Sequence, residues 1–331
     1  MKHAPFLLSA ALGLGMAAHA AAVETQLEAP GPAGPLKGTM LAPDAAAVRD
    51  AAAGAGAVVL IIPGSGPTDR DGNNTSGVLA APYRLLAQGL AARGITTVRI
   101  DKRGLFGSAA ATPNPNAVTI GDYVADVHAW STVIRQSTRA SCVWLLGHSE
   151  GGLIAMAAAR SPDVCGLLLV AAPGRPLGVI LREQLKANPA NAPVLGQALS
   201  ALDALEAGKH VDTTGMHPAL LRLFRPEVQG FLIDAFTYAP AKLLKDYKKP
   251  VLIIQGRRDL QVQETDAQSL KAADPQASLV LLPDVNHVLK TVATDDRRAN
   301  VSTYGDASLA LAPGVVPAIA DFLRMAGSTD M

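Results

Sequence analysis

Cys142-Val143-Trp144-Leu145-Leu146-Gly147-His148-Ser149-Glu150-Gly151-Gly152 is an apolar run that breaks at a serine flanked by glycines and resumes as Leu153-Ile154-Ala155-Met156-Ala157-Ala158-Ala159. The first half is too short and too branched for a helix, and the second is rich in alanine, so the stretch reads as strand, sharp turn, helix. Gly147 to Gly151 fits G-x-S-x-G, whose glycines leave room for a strained turn that lifts the serine hydroxyl clear of a sheet at a helix N-terminus. Ser149 is therefore the candidate nucleophile. The five-residue pattern is weak alone in a glycine-rich chain, and its strand-turn-helix context is what gives it weight.

Working outward, continuous apolar strands at 57–62, 95–100, 166–172 and 251–255 alternate with helical patterns at 78–93, 119–138 and 265–273. A strand at 278–282 and a helix near 314–325 close the chain, and the alternation predicts an α/β fold with a mostly parallel sheet. Residues 23–43 read as a strand pair around a Pro/Gly turn, and 44–56 as an alanine-rich surface loop. After Pro173 about 75 residues pass before the next clear strand, where a simple crossover needs roughly 25. That interval is mostly helical in pattern and is expected to be an inserted cap, giving a core of 21–173 and 249–331 with a cap at 174–248.

The 331 residues, 49% of them hydrophobic, can bury one large core with a smaller appendage. Met1-Lys2-His3 precedes an apolar stretch at 5–18, and Ala18-His19-Ala20 offers small residues at the positions a signal peptidase reads. Residues 1–20 are thus expected to be a signal peptide cleaved near Ala20-Ala21, with the mature protein periplasmic or secreted. The stretch is too short to remain as an anchor, and no second run of about twenty apolar residues follows. Without Lys2 the remaining basic residues balance the 28 acidic ones, so nothing advertises nucleic-acid or anionic-membrane binding. The two cysteines, Cys142 and Cys165, each precede an apolar strand. A disulfide and two buried thiols are both open.

A serine attacks an acyl carbon only if a base takes its proton, and the base needs an acid to fix its tautomer. Of the seven histidines, His3 and His19 leave with the signal, His128 sits mid-helix, His148 is expected to point off the elbow, and His210 and His217 lie in the cap. His287 follows the last strand and is the expected base. Asp259, three residues beyond the 251–256 run, is the expected acid, with Asp266 and Asp284 as runners-up. The oxyanion that develops needs preorganised N–H donors. These are expected from Glu150 and from the Gly64-Ser65-Gly66 turn, with Ser65 slightly ahead of Gly66. Asp69-Arg70-Asp71-Gly72-Asn73 has the look of a calcium loop, but Asn74 and Ala80 stand where the EF-hand spacing needs glycine and glutamate, so no metal is expected. Asp69, Arg70 and Asp71 are expected to bond one another and brace the oxyanion turn, and Asp101 and Arg103 to do likewise beside the nucleophile.

With Gly64-Ser65-Gly66-Pro67-Thr68-Asp69-Arg70-Asp71-Gly72-Asn73, Asp101-Lys102-Arg103-Gly104, the elbow and Asn286-His287 in view, the chain resembles the α/β-hydrolases of the serine-aminopeptidase-like branch. It is similar to bacterial carboxylesterases that carry that first loop, over nearly all of the chain from about Leu36. The resemblance implies an eight-stranded sheet, a helical cap and hydrolysis without a cofactor. Leu105-Phe106-Gly107-Ser108 departs from relatives that have glycine two residues after the Arg-Gly pair, and Phe106 is expected to crowd the site entrance.

These readings converge on a carboxylesterase cleaving short to medium acyl esters of small-molecule substrates, with activity falling once the imidazole of His287 protonates. A serine aminopeptidase or an acyl thioesterase is the alternative. An aminopeptidase must hold a free α-amino group, and Glu183, Asp203, Glu206, Asp212 and Glu227 are scattered rather than clustered. A non-catalytic binding domain ranks lower, because such proteins typically lose a triad member. Phe224, Phe231, Phe236 and Tyr238 in the cap could line an acyl pocket or form the cap's own core. Oligomeric state is open.

Overall fold

The computed structural model of the chain describes residues 22–44, 47–48 and 56–328. The signal-peptide reading of 1–20, and most of the 44–56 loop, lie outside the described residues. Eight strands form one sheet in the order β1-β2-β4-β3-β5-β6-β7-β8, with β1 Val23–Ala29, β2 Leu36–Ala42, β3 Val58–Ile62, β4 Thr96–Ile100, β5 Val143–His148, β6 Val164–Val170, β7 Val251–Gly256 and β8 Ser278–Leu282. β2 pairs antiparallel with both β1 and β4, and every other pairing is parallel. The chain thus has the eight-stranded, mostly parallel sheet that the resemblance implied.

The central strands are apolar along their whole length because helices cover both faces of the sheet. Val58, Leu60 and Ile62 of β3 and Val143 and Leu145 of β5 join one core, which includes Trp130 and Ile134 of α2 (Ile120–Thr138) and Leu153 and Ile154 of α3 (Glu150–Ala158). Val59, Ile61, Trp144 and Leu146 face the other way. There they meet Leu86 and Leu90 of α1 (Pro82–Ala91) and Ile319 and Leu323 of α11 (Val315–Ser328). Alternate residues therefore serve opposite layers, the two-residue period of a strand. Helix α1 starts at Pro82 rather than at 78, because proline at the first turn loses no bond there. Thr119 caps α2 in a capping box with Asp122.

Between β6 and β7 lie α4 Leu177–Ala187, α5 Leu195–Glu206, α6 Pro218–Phe224, α7 Pro226–Phe236 and α8 Pro240–Leu244. These helices have a core of their own, with Leu202, Leu205, Leu220, Phe224 and Leu232 buried together. Phe224 serves that core, and the Phe231 ring packs edge-on against Tyr123 of α2, with centroids 6.3 Å apart. Among the described residues, α9 Glu264–Ala273 precedes β8 and α10 Arg297–Ser302 follows it. Helix α10 gave no periodic signal in the sequence. Cys142 and Cys165 are disulfide-bonded, with Cα atoms 5.1 Å apart, and join neighbouring strands at the ends where the chain enters them. Among the described residues no helix is long and apolar enough to cross a membrane.

Candidate active site

Ser149 follows β5 directly and has φ 54° and ψ −126°, a left-handed conformation that a serine holds only under constraint. Its neighbours supply that constraint. A Cβ on Gly147 would come within 2.2 Å of the Gly151 carbonyl oxygen, and one on Gly151 within 2.2 Å of the Ile62 oxygen. Both glycines are therefore fixed by close approach, and the hairpin bend brings α3 down over the end of β3. Ser149 lines two clefts. One of about 100 Å³ is walled by Leu153, Leu177, Ile180, Leu181 and Tyr238, and the other of about 110 Å³ is shared with Tyr83, His148 and His287. Of the four aromatic residues singled out between β6 and β7, Tyr238 alone lines the cleft beside Ser149. Phe106 is exposed and lines neither cleft, so it does not crowd the serine.

His287 lies on the turn after β8, and its Nδ1 donates to Asp259 Oδ2 at 2.8 Å. Asp259 sits on the turn after β7, where its Oδ1 also accepts from the N–H groups of Gln261 and Val262 at 2.7 and 3.0 Å. An acceptor-only carboxylate holding these donors keeps the imidazole in one tautomer, with Nε2 as the free base position. The two turns are tied together: Asn300 Nδ2 donates to the Arg258 oxygen at 2.6 Å, and Asn286 Nδ2 donates to Asn300 Oδ1 at 3.1 Å and to Thr303 Oγ1 at 2.7 Å. The runners-up have other work. Asp266 caps α9 and holds Arg175, and exposed Asp284 sits 3.7 Å from Arg258.

His148 does not point off the elbow. It is buried, its ring centroid lies 4.7 Å from that of His287, and its Nε2 contacts the His287 carbonyl oxygen at 2.8 Å. Tyr83 Oη accepts from the Gly64 N–H at 3.0 Å and touches His148 Nδ1 at 2.9 Å. Because the His287 carbonyl can only accept, His148 donates from Nε2, and Tyr83 donates to Nδ1. The result is a buried chain running from the Gly64 turn to the His287 turn. Burial, aided by neighbouring His287, pushes the His148 imidazole down to about 3, and burial pushes the Tyr83 phenol up, so both stay neutral. In the sequence His148 was the polar terminus of an apolar strand, and Tyr83 lay inside a helix pattern.

Residues 64–73 hold together differently from the expectation that Asp69, Arg70 and Asp71 bond one another. Asp69 Oδ1 accepts from the N–H groups of Asp71 and Asn73 at 2.9 and 2.8 Å, which closes the turn. The charged partners, however, come from the sheet: Arg70 binds Asp101, with Nε to Oδ2 at 3.0 Å, and Asp71 pairs with Arg99 of β4. A strand offers anchored counter-charges, whereas residues one apart in a turn diverge. Arg103 likewise faces α2 rather than the nucleophile, binding Asp126 at 2.6 Å and Asp122 at 2.8 Å. Lys102, between Asp101 and Arg103, turns the opposite way. Its Nζ donates to the Gly64 oxygen at 2.7 Å and lies 3.3 Å from Glu150 Oε1.

Gly64 passes against the elbow, since a Cβ there would lie 3.2 Å from Ser149 Cβ, and its N–H is taken by Tyr83. Ser65 lines both clefts with Ser149, whereas Gly66, at φ 68°, lines a third cleft with Lys102, Glu150 and Phe231 that Ser149 does not reach. Glu150 opens α3, so its N–H has no acceptor within the helix. Among the described residues no group of three or more His, Cys, Asp or Glu side chains is placed to hold a metal ion.

Residues 58–301 match the model of the alpha/beta hydrolase family. The chain is 27% identical over 235 residues to "Esterase EstD" of Thermotoga maritima, covering 70% of this chain and 54% of that protein, so the match spans about half the length of that relative. A solved esterase of Pyrococcus furiosus superposes with a TM-score of 0.55 at 15% identity, covering 92% of this chain and 93% of the other. The proline iminopeptidase of Mycobacterium smegmatis superposes with a TM-score of 0.58 at 16% identity, covering 93% of this chain and 100% of the other. At such identities the two structures speak to the fold.

Proposed function

The chain belongs to the alpha/beta hydrolase family, and from that premise we propose that it is an exported serine carboxylesterase. Ser149 is the nucleophile, His287 the base and Asp259 the acid that orients it. The observation that carries the reading is the cleft lined by both Ser149, on its strained elbow, and His287, while Asp259 holds His287 Nδ1 at 2.8 Å. In the first half-reaction His287 Nε2 takes the Ser149 proton as Oγ bonds to the acyl carbon, and the oxyanion is met by the N–H groups of Glu150 and Ser65. The C–O bond then breaks and the alcohol leaves with the proton from His287. Water repeats the sequence on the acyl-enzyme and releases the acid.

The charge pattern favours an ester over a peptide N-terminus. A free α-amino group needs a carboxylate beside the serine, yet among the described residues Glu150 is the one acidic residue that lines the two clefts with Ser149, and it is paired with Lys102. The apolar walls beside Ser149 suit an acyl chain of short to medium length. The helices from α4 to α8 act as its cap. The relative's name, an esterase, agrees. Export is supported by the N-terminal signal pattern and by a disulfide of the kind that persists in oxidising compartments.

Hydrolysis of p-nitrophenyl esters from acetate to palmitate, measured beside Ser149→Ala, tests the reading. Turnover is expected to peak at short acyl chains and to fall about a thousandfold or more in the variant. Turnover confined to aminoacyl anilides would replace esterase with peptidase, and activity surviving in Ser149→Ala would remove the serine from the mechanism.

A further inference from the structure

We propose that Lys102 is a positioning residue of the oxyanion site, polarising the Gly64–Ser65 peptide so that the Ser65 N–H becomes the stronger donor to the developing negative charge. The proposal rests on the esterase reading and takes it one step deeper, into how the donors are made ready. The geometry begins with which peptide the ammonium touches. Lys102 Nζ donates to the Gly64 carbonyl oxygen at 2.7 Å, and the N–H at the other end of that same amide is that of Ser65. A cation on the oxygen of an amide draws electron density toward it and leaves the N–H more positive, the cooperative strengthening expected of hydrogen bonds in series in a medium of low dielectric.

The remaining contacts suit that role. The Lys102 side chain is 4% exposed, and its ammonium lies 5.2 Å over the Tyr123 ring, a desolvated setting in which a charge acts over distance with little screening. Its second polar partner is Glu150 Oε1 at 3.3 Å, on the residue whose own N–H is the other proposed donor. One ammonium therefore grips both arms of the oxyanion site, one through the carbonyl of Gly64 and one through the side chain of Glu150. Burial alone would pull the Lys102 ammonium down, and Glu150 together with Tyr123 more than offsets it, so the group stays charged.

The same geometry separates Ser65 from Gly66. The Gly64 N–H is occupied by Tyr83, and Gly66 lines a cleft that Glu150 shares but Ser149 does not, so the polarised amide is the one whose N–H belongs to a residue lining both clefts beside the nucleophile. A lysine that only neutralised Glu150 would not need to place a hydrogen bond on that particular oxygen. Lys102 supplies the site with a fixed positive charge that no substrate has to bring and no proton transfer consumes.

The test compares the wild type with Lys102→Met, Lys102→Gln and Lys102→Arg, using p-nitrophenyl butyrate for turnover and a butyl trifluoromethyl ketone as the transition-state probe. The ketone adds to the serine and leaves its oxygen as an anion in the same place. Both uncharged variants are expected to lose about 10- to 100-fold in kcat with KM within about twofold, a fraction of the loss seen when a whole donor is removed. Affinity for the ketone should fall by the same factor as kcat/KM. Lys102→Arg, which keeps a charge, should recover part of both. Circular dichroism melts identify any variant that does not fold, and if Lys102→Met is one, Lys102→Gln against Lys102→Arg carries the comparison. Lys102→Gln turning over like the wild type would overturn the proposal, as would a kcat loss with ketone affinity unchanged, since the charge would then act elsewhere. Failure of the esterase reading itself shows separately, as wild-type turnover that survives Ser149→Ala.

Discussion

Tyr83→Phe removes one oxygen from a dry site, and the consequence can be worked from its two bonds. Tyr83 Oη is the acceptor for the Gly64 N–H and the donor to His148 Nδ1, so its loss leaves two buried polar groups without partners. His148 cannot compensate by switching tautomer, because its Nε2–H is held by the carbonyl of His287. An orphaned buried group costs about 1–3 kcal/mol, and two of them, less the relief of no longer burying a hydroxyl, give an expected loss of about 2–4 kcal/mol. Urea unfolding followed by circular dichroism reads that as a lower midpoint with unchanged slope. Because Gly64 carries the turn that holds Ser65, the proposed oxyanion donor, ester turnover should fall in the same variant at temperatures where it remains folded. In the double variant Tyr83→Phe/His148→Leu one of the two orphans disappears, so the pair should cost less than the sum of the single changes. A Tyr83→Phe protein within about 0.5 kcal/mol of the wild type, with unchanged turnover, would refute the chain of bonds from the Gly64 turn to the His287 turn.

Two further outcomes follow from the same structure. Folded His148 stays neutral down to about 3 while the unfolded chain takes up its proton near 6.5, so the unfolded state binds more protons between those values. Stability is then fully present above about pH 6.5 and declines as pH falls through the window, by at most about 1.4 kcal/mol per pH unit. Denaturant melts of the wild type and His148→Asn check it, since the extra slope should vanish in the variant. Reducing the Cys142–Cys165 bond, whose cysteines are 23 residues apart, should cost about 3 kcal/mol by the loop-entropy estimate. Thermal melts with and without dithiothreitol measure it, and an unmoved midpoint would show the bond adds nothing.

The positions of Ser149, Asp259 and His287 were legible because they stand one, three and five residues beyond strands whose apolar runs announce themselves, so place in the chain implied place at one edge of the sheet. The elbow was legible for a second reason: its glycines are demanded by backbone contacts at 2.2 Å that any larger residue would break. Tyr83, His148 and Lys102 were not legible in the same way. Each depends on partners 19 to 139 residues away, as in Tyr83 with Gly64 and His148 with His287, and a linear pattern does not carry such pairings. The charges of 69–71 misled because proximity in sequence suggested mutual pairing, whereas β4 held better-placed partners in Arg99 and in Asp101 just beyond it. The cysteines left two states open until β5 and β6 were seen side by side.

The placement of the helices from α4 to α8 between β6 and β7 has a bearing on how the chain becomes an enzyme. Six strands precede that interval, β5 with Ser149 at its end among them, and in a chain exported N-terminus first they arrive before β7 and β8. They are free to pair among themselves before Asp259 and His287 reach them. With those two residues in the roles proposed, a fluorogenic ester added to the refolding chain stays dark through the growth of most of the sheet and lights up only when the last two strands dock, so turnover times the final step of assembly rather than the first.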